Sequence, residues 1–191
     1  MKASFEHFIR LHVKHPRDAE IAEILDLFEE KSYAKGDYFK MAHVIAKEIG
    51  FLVEGSAKSV IVKDNGDEIS GRLISHSHFI FDMISARTLE KSNLAFRFCE
   101  DSRMLVAPYA AIKDLLDSNL TLNILIREYT ADRTVEMGKW LMLFLTGSAK
   151  DRYQFILERN PKLLNKFPLR AIASMIGITP TQLSRIRKER G

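Results

Sequence analysis

Polar and basic side chains recur on one face of the last predicted helix of this 191-residue chain. Thr179 can cap that helix, and Pro180 stands in its first turn, where the missing N–H costs no hydrogen bond. Leu183 and Ile186 form its apolar inner face. The side chains left outside are those of Thr181, Gln182, Ser184, Arg185, Arg187 and Lys188. Arg can pair with guanine, Gln with adenine, and Thr or Ser with bases or phosphates, so the pattern predicts hydrogen bonding to double-stranded DNA.

A second apolar helix is predicted immediately before that face. Leu169, Ile172 and Ile176 recur at helical spacing, and Gly177 can end the helix because glycine adopts the left-handed conformation at little cost. A helix, a glycine turn and a helix with a polar-basic face form the helix-turn-helix pattern. A plain helical hairpin with a solvated basic face is the alternative. The candidate DNA-binding residues are Arg170, Thr179, Thr181, Gln182, Ser184, Arg185, Arg187 and Lys188.

Charge is distributed unevenly along the chain. Residues 149–191 carry ten Lys or Arg and three acidic residues, a net charge of +7. Residues 1–148 carry 19 Lys or Arg and 22 acidic residues, a net charge of −3. A basic segment on a mildly acidic body is typical of a module that binds a polyphosphate. Cys99 is the only cysteine, which excludes an intrachain disulfide, a zinc–cysteine cluster and a four-cysteine iron–sulfur site.

Two features of the sequence bear on its location. It has no run of eighteen apolar residues, so no transmembrane helix is expected. Glu6 and His7 place polar groups too early in the chain for a secretory signal. We therefore predict a cytoplasmic protein without a membrane partner.

Short β-prone runs separated by glycines occupy the middle of the chain. They follow two predicted helices, one over Ser4–His15 and one capped by Asp18. Asp64-Asn65-Gly66 predicts a hairpin turn, because both central positions tolerate positive φ. Runs at this spacing are typical of an antiparallel barrel or roll. The predicted strands are Ile49–Val53, Ser59–Val62, Glu68–Ile74, Leu94–Cys99 and Arg103–Ala107.

A short helix over Tyr109–Leu116 and a long one over Leu120–Leu145 follow the strands. Apolar residues of the long helix recur at 3.5-residue spacing, which suits a parallel contact with a second copy. Packing against the chain's own β-domain is the alternative, and we expect the helix to do both. Arg133 is expected to pair with Asp132 or Glu136 of the partner. The predicted dimer interface comprises Leu122, Ile126, Tyr129, Arg133, Met137, Trp140 and Phe144.

Gly147 is predicted to end the long helix and to act as a hinge. Ser148 can then cap a further helix over Ala149–Arg159, which the pair Asn160-Pro161 ends.

The order of these elements resembles the Crp/Fnr superfamily of bacterial transcription regulators over nearly the whole chain. Segments 33–39, 49–55, 64–68 and 100–102 resemble motifs of its β-roll. Segments 149–155 and 172–187 are similar to a more specific signature of the branch common in Bacteroidetes. The resemblance implies an α+β fold with an N-terminal antiparallel β-roll, a cyclic-nucleotide-binding-like jelly roll, followed by a long dimerisation helix and a C-terminal helical helix-turn-helix domain.

The resemblance also implies a division into domains and a set of partners. Residues 1–118 would form the sensor roll, 119–147 the dimerisation helix and hinge, and 148–191 the DNA-binding domain. The implied partners are double-stranded DNA and a second copy in a homodimer, with RNA polymerase as a further candidate. The effector is an unidentified small molecule or none. No enzyme activity, cofactor or metal is predicted.

The sequence departs from the pattern of cyclic-AMP-binding family members. In those proteins a Gly-Glu segment and an Arg-Ser/Thr pair hold the ribose and the cyclic phosphate, since a buried phosphate needs an Arg fork. Here Ser92 stands at the Arg position, and the segment 80–83 replaces the Gly-Glu segment. We therefore predict no binding of cyclic AMP. The candidate effector pocket comprises Asp82, Arg87, Lys91, Ser92 and Asn93.

The DNA-reading helix departs from the family as well. Pro180-Thr181 stand where the archetype has two base-reading residues, so a different operator is expected. Arg185 matches the family's later guanine-reading Arg and is the strongest candidate for base contact. The chain ends at Gly191, from which we expect no full wing after the helix and phosphate contacts from Arg170, Arg187 and Lys188.

Two other functions are compatible with parts of the sequence. His76-Ser77-His78 followed by Asp82 resembles the metal motif of cupins, because alternating strand residues put both imidazoles on one face. The chain would then be a metal-binding protein or an enzyme. Alternatively, a regulator can act by protein contact and carry a vestigial DNA helix.

Overall fold

The computed structural model describes residues 1–159, 161 and 166–189. The described part consists of an N-terminal β-roll flanked by helices, a 27-residue helix and a C-terminal group of helices. The predicted α+β architecture is therefore confirmed. Two predictions lie outside the described residues: the helix end at Asn160 and the expectation about a wing after the last helix.

Two four-stranded antiparallel sheets form the roll. The strands are β1 (Glu29–Tyr33), β2 (Tyr38–Lys40), β3 (Glu48–Glu54), β4 (Ser56–Val62), β5 (Glu68–Ser75), β6 (His78–Ile80), β7 (Leu94–Phe98) and β8 (Ser102–Pro108). Their order is β1-β8-β3-β6 in one sheet and β2-β7-β4-β5 in the other. The sequence does not predict β1, β2 and β6, because runs of three to five residues carry too little alternation.

The predicted hairpin joins β4 to β5. Gly66 has φ +83°, and its N–H donates to the carbonyl of Lys63 at 2.9 Å. The hairpin is therefore confirmed, with positive φ at Gly66 and not at Asn65. The side-chain oxygen of Asn65 instead accepts the N–H of Asp67 at 3.1 Å, which is typical of an Asx turn.

Helices precede and follow the strands of the roll along the chain, and one short helix lies between β6 and β7. They are α1 (Lys2–His12), α2 (Asp18–Asp26), α3 (Met83–Thr88), α4 (Tyr109–Leu116), α5 (Leu120–Thr146), α6 (Ala149–Arg159), α7 (Leu169–Met175) and α8 (Pro180–Lys188). α1 ends at His12, before the predicted limit. Asp18 is the first residue of α2 and not its cap, and its carboxylate accepts a hydrogen bond from Arg10 of α1 at 2.7 Å. Ser148 does cap α6, since its Oγ accepts the N–H of Asp151 at 3.2 Å.

The two faces of β3 enter two different cores, as the two-residue period of a strand requires. Phe51 lies in an aromatic cluster between one sheet and helices α1, α2 and α5, where its ring is 4.6 Å from that of Phe5. Leu52 points the other way and packs between the two sheets with Ile74 and Phe96. Because α5 contributes to the first core, the long helix is fixed to the roll over its first turns.

A third core holds the C-terminal helices together. Tyr153, Ile156, Ile172 and Leu183 are buried in it, and Leu73 of β5 joins them from the roll. The edge strand β5 therefore carries a side chain into the helical domain. Of the helices in the described residues, none has the length and apolarity that a membrane span requires.

Candidate nucleic-acid interface

The turn between α7 and α8 is closed by backbone hydrogen bonds. Gly177 has φ +72°, and its N–H donates to Ser174 at 3.1 Å. The N–H of Ile178 donates to the carbonyl of Ala173 at 3.0 Å. These two bonds form a Schellman motif, which satisfies the last carbonyls of a helix and needs a left-handed residue at the position of Gly177. The predicted role of this glycine is confirmed.

The start of α8 is held by a reciprocal capping box. The hydroxyl of Thr179 accepts the N–H of Gln182 at 3.2 Å, and the side-chain oxygen of Gln182 accepts the N–H of Thr179 at 2.9 Å. Thr179 is the predicted cap. Gln182 was expected to read adenine, but in this arrangement its carbonyl oxygen is occupied by the cap. A base contact by Gln182 requires that side chain to leave the cap or to use its NH₂ alone.

The outward face of α8 is open. Leu183 is fully buried and Ile186 partly buried, whereas Thr181, Arg185, Arg187 and Lys188 are exposed. Ser184 is half-buried, and Arg170 is exposed on α7. The last turn of α8 holds three basic residues and its first turn no acidic one. The arrangement presents cationic and hydroxyl groups on a rigid helix.

The structure assigns the first half of the predicted dimer seam to the chain's own roll. Leu122 is 2% exposed and lies in the core shared with α1 and α2, so it offers a partner no surface. Ile126 packs against the same core. The hydroxyl of Tyr129 accepts the N–H of Phe79 at 3.2 Å, and the two rings are 5.0 Å apart. The dimer prediction is corrected at Leu122, which the roll covers. Ile126 and Tyr129 are only partly buried, and their place in a dimer interface stays a prediction.

The end of the predicted seam packs against the C-terminal domain. The rings of Trp140 and Phe155 are 5.2 Å apart, and the guanidinium of Arg152 lies 4.9 Å from the ring of Phe144. Arg133 forms an ion pair with Glu136 of its own helix, so the acidic partner expected from a second copy is present within the chain. Of the predicted seam, Met137 remains the most exposed side chain.

A different apolar stripe of α5 is open. Val135, Met142 and Leu145 are 57%, 67% and 75% exposed. With the exposed Ala131 and Gly138 they recur at alternating steps of four and three. That is the 3.5-residue spacing of a two-helix seam, displaced around the helix from the predicted one. Sequence spacing alone cannot tell the two stripes apart, because both satisfy the same period.

Two of the predicted effector residues are brought together and three are not. Asp82 is buried before α3, and its carboxylate accepts a hydrogen bond from Ser92. Arg87, Lys91 and Asn93 are exposed. The cation that reaches Asp82 is Lys40, at the end of β2, with its Nζ 3.0 Å from the Asp82 Oδ2. Lys40 is not among the residues predicted from the sequence, where its only signal is a lysine between Phe39 and Met41 at the end of a three-residue strand.

The geometry required for the cupin-like alternative is absent. His76 and Ser77 lie in a bend, with Ser77 at φ +64°, and only His78 belongs to β6. The two imidazoles are therefore not alternating residues of one strand, and His78 Nδ1 is instead 3.1 Å from the His76 carbonyl. No group of three or more His, Cys, Asp or Glu side chains within the described ranges is placed to hold a metal ion.

No protein-family model matches the sequence, and no curated protein matches it. Solved structures do match its fold. FixK2 from Bradyrhizobium japonicum aligns with a TM-score of 0.70 at 17% identity, over 85% of this chain and 83% of that protein. The c-di-GMP responsive global regulator CLP of Xanthomonas campestris aligns at 0.66 and 13% identity, over 91% of each chain. A protein assigned to the Crp/Fnr family of transcriptional regulators, from Eubacterium rectale, aligns at 0.66 and 16% identity, over 91% and 82%.

These matches cover between 85% and 91% of the chain. The chain therefore has the fold of Crp/Fnr regulators, as the sequence resemblance implies. The assignment to the branch common in Bacteroidetes stays a prediction.

Proposed function

We propose that the chain is a sequence-specific DNA-binding transcription regulator of the Crp/Fnr type. The observation that carries the proposal is the open face of α8. A capped helix stands on a buried core and presents Thr181, Arg185 and Lys188 to solvent, after a Schellman turn that fixes its angle to α7. A plain helical hairpin needs neither the concentration of basic residues on this face nor the rigid turn.

Within this face, the residues divide into two groups. Thr181 lies in the first turn of α8, and Ser184 and Arg185 follow one turn later. In helix-turn-helix proteins the N-terminal residues of this helix contact base edges in the major groove. The exposed guanidinium of Arg185 would form a bidentate pair with guanine in the proposed complex. Arg187, Lys188 and Arg170 lie around this centre and suit phosphate contacts, which position a protein without reading sequence.

The proposal includes a homodimer formed through α5. The open stripe of Val135, Gly138 and Met142 supports a second copy of the same helix, because apolar residues at 3.5-residue spacing bury each other when two helices cross in parallel. Parallel α5 helices would place two copies of α8 on the same side of the dimer. Two recognition helices would then meet half-sites about 34 Å apart.

Cyclic AMP is not part of the proposal. A buried cyclic phosphate needs cationic donors that are free to bind it. The exposed Arg87 and Lys91 point to no buried site, and the buried Lys40 is already paired with Asp82. One structural neighbour, CLP, is responsive to c-di-GMP, which supports an effector other than cyclic AMP.

The test is DNA binding measured at several salt concentrations, after selection of an operator from random sequence. Each phosphate neutralised by the protein contributes about −0.9 to the slope of log affinity against log salt. We expect a slope of several units and a preferred, two-fold symmetric site. A regulator that acts only by protein contact gives no measurable binding at low salt, and that result would overturn the proposal.

A further inference from the structure

A buried ion pair joins three separate segments of the roll. The Lys40 and Asp82 side chains are 7% and 2% exposed. Lys40 ends β2, Asp82 precedes α3, and Ser92 lies in the connection to β7. Removing two charges from water costs several kcal/mol per ion, and the pair repays this only when every remaining donor and acceptor is also satisfied.

The hydrogen bonds around the pair meet that condition. Besides the carboxylate, the Lys40 ammonium donates to the carbonyl of Leu94 at 2.7 Å and to Ser92 Oγ at 3.1 Å. The hydroxyl of Ser92 donates to Asp82 Oδ2, and the N–H of Ser85 donates to Asp82 Oδ1 at 3.1 Å. The carboxylate therefore has a cation, a hydroxyl and a backbone N–H as partners. These are the groups with which proteins bind a small anion.

The carboxylate is held in its charged form. Burial by itself acts to raise the pKa of Asp82, but the hydrogen bonds from Ser92, Ser85 and Lys40 outweigh burial and lower the pKa below its ordinary value. Near neutral pH the Asp82 side chain is therefore a carboxylate.

We infer that Asp82 is an internal anionic ligand, whose carboxylate fills an anion-binding site made by Lys40, Ser92 and the N–H of Ser85. The site orders the junction of β2, α3 and the connection to β7 without an external ligand. Small carboxylates and inorganic phosphate are excluded while Asp82 is present, and they bind once its carboxylate is removed. This inference goes beyond DNA binding and does not depend on it.

The experiment is rescue of Asp82→Ala by added anions. The substitution leaves the buried Lys40 ammonium unpaired, which should lower Tm by roughly 6–20 °C for a chain of this size. Formate, acetate or phosphate should restore part of that loss, with saturation. At ten times its Kd, an anion raises the folding equilibrium constant about elevenfold. The wild-type protein should show no such rise beyond that given by chloride at equal ionic strength.

Two controls separate a specific site from a general salt effect. The double variant Lys40→Met/Asp82→Ala lacks the cation and should show no rescue. Asp18→Ala removes an exposed carboxylate that accepts a hydrogen bond from Arg10 at 2.7 Å. This variant should lose little stability, and acetate should not stabilise it. Where Asp82→Ala does not fold alone, the titration is read as recovery of near-ultraviolet circular dichroism. Equal responses to acetate and chloride, or equal rescue of the double variant, would overturn the inference.

Discussion

The hydroxyl of Ser174 in α7 accepts the backbone N–H of Ser70 in β5 at 2.8 Å. β5 is the edge strand of its sheet, so this N–H has no strand partner on that side. Leu73, three residues further along β5, enters the core of the C-terminal helices. The helix α7 thus docks on the edge of the roll through hydrogen bonds between Ser174 and Ser70 and through the apolar contact of Leu73.

Substitution of Ser174→Ala should destabilise this junction. It leaves the part-buried N–H of Ser70 without its acceptor, which costs about 1–3 kcal/mol. The free energy of unfolding and the hydrogen exchange of the Ser70 amide would measure the effect. Thr146→Ala is the control, because that hydroxyl only donates to the Met142 carbonyl on an exposed helix. An unchanged exchange rate at Ser70 would show that the docking does not persist in solution.

Substitution of Arg185→Ala should cost about 1–3 kcal/mol of binding at the selected operator and relax specificity at one base pair. The reason is the loss of a bidentate contact that only guanine can accept. Affinity is measured on the operator and on single-base variants of it. Lys188→Ala is the matched comparison and should weaken binding to all sequences about equally. A uniform loss with Arg185→Ala would mean that this side chain contacts phosphate only.

Substitution of Gly177→Ala should be more destabilising than Gly36→Ala. Both glycines have positive φ, of +72° and +97°, so each alanine meets a backbone cost of roughly 1–2 kcal/mol. At Gly36 the added Cβ finds open space, whereas at Gly177 it lies 3.2 Å from the ring of Phe144. Thermal unfolding of the two variants gives the difference directly. Equal losses of stability in the two variants would show that the Phe144 ring moves away from the added Cβ at no cost.

A charge in the open stripe of α5 should weaken the proposed dimer. Met142→Lys places an ammonium in the proposed seam and should raise the dimer dissociation constant at least about tenfold. Sedimentation over a range of concentrations measures it. Ile84→Lys, at an equally exposed position on α3, should leave the dimer unchanged. A larger rise of the dissociation constant for Ile84→Lys than for Met142→Lys would show that the interface does not lie on this stripe.

Stability should fall as pH drops below about 6.5, partly because of His78. Burial is the largest cause that lowers the pKa of His78, and the positive charges of Arg72 and Arg133 add to it. The unfolded chain therefore takes up a proton near pH 6.5, while the folded chain does so only at lower pH. Unfolding free energies from pH 7.5 to 5 would show this loss in the wild type. His78→Gln should show a smaller loss, and identical slopes would contradict the assignment.

The helix-turn-helix could be predicted almost residue by residue, because its determinants are local. A cap at Thr179, a proline after it and a glycine at the turn each act within a few bonds of their position. The same holds for the strands β3 to β5, which are seven or eight residues long and are followed or separated by turn-forming glycines. The strands β2 and β6 are only three residues long, and the sequence did not predict them.

The face of a helix that meets a particular neighbour is not a local property. Leu122 and Met142 both fit a 3.5-residue repeat, yet one is buried against the roll and the other is open. Lys40 and Asp82 are 42 positions apart in the chain, and only the closure of the two sheets brings their charges within 3.0 Å. By itself the sequence determined most of the elements and the basic face of the last helix, through short-range sterics and capping. The tertiary structure alone decided which apolar stripe stays exposed and where a lysine finds its counter-charge, because these depend on packing between distant segments.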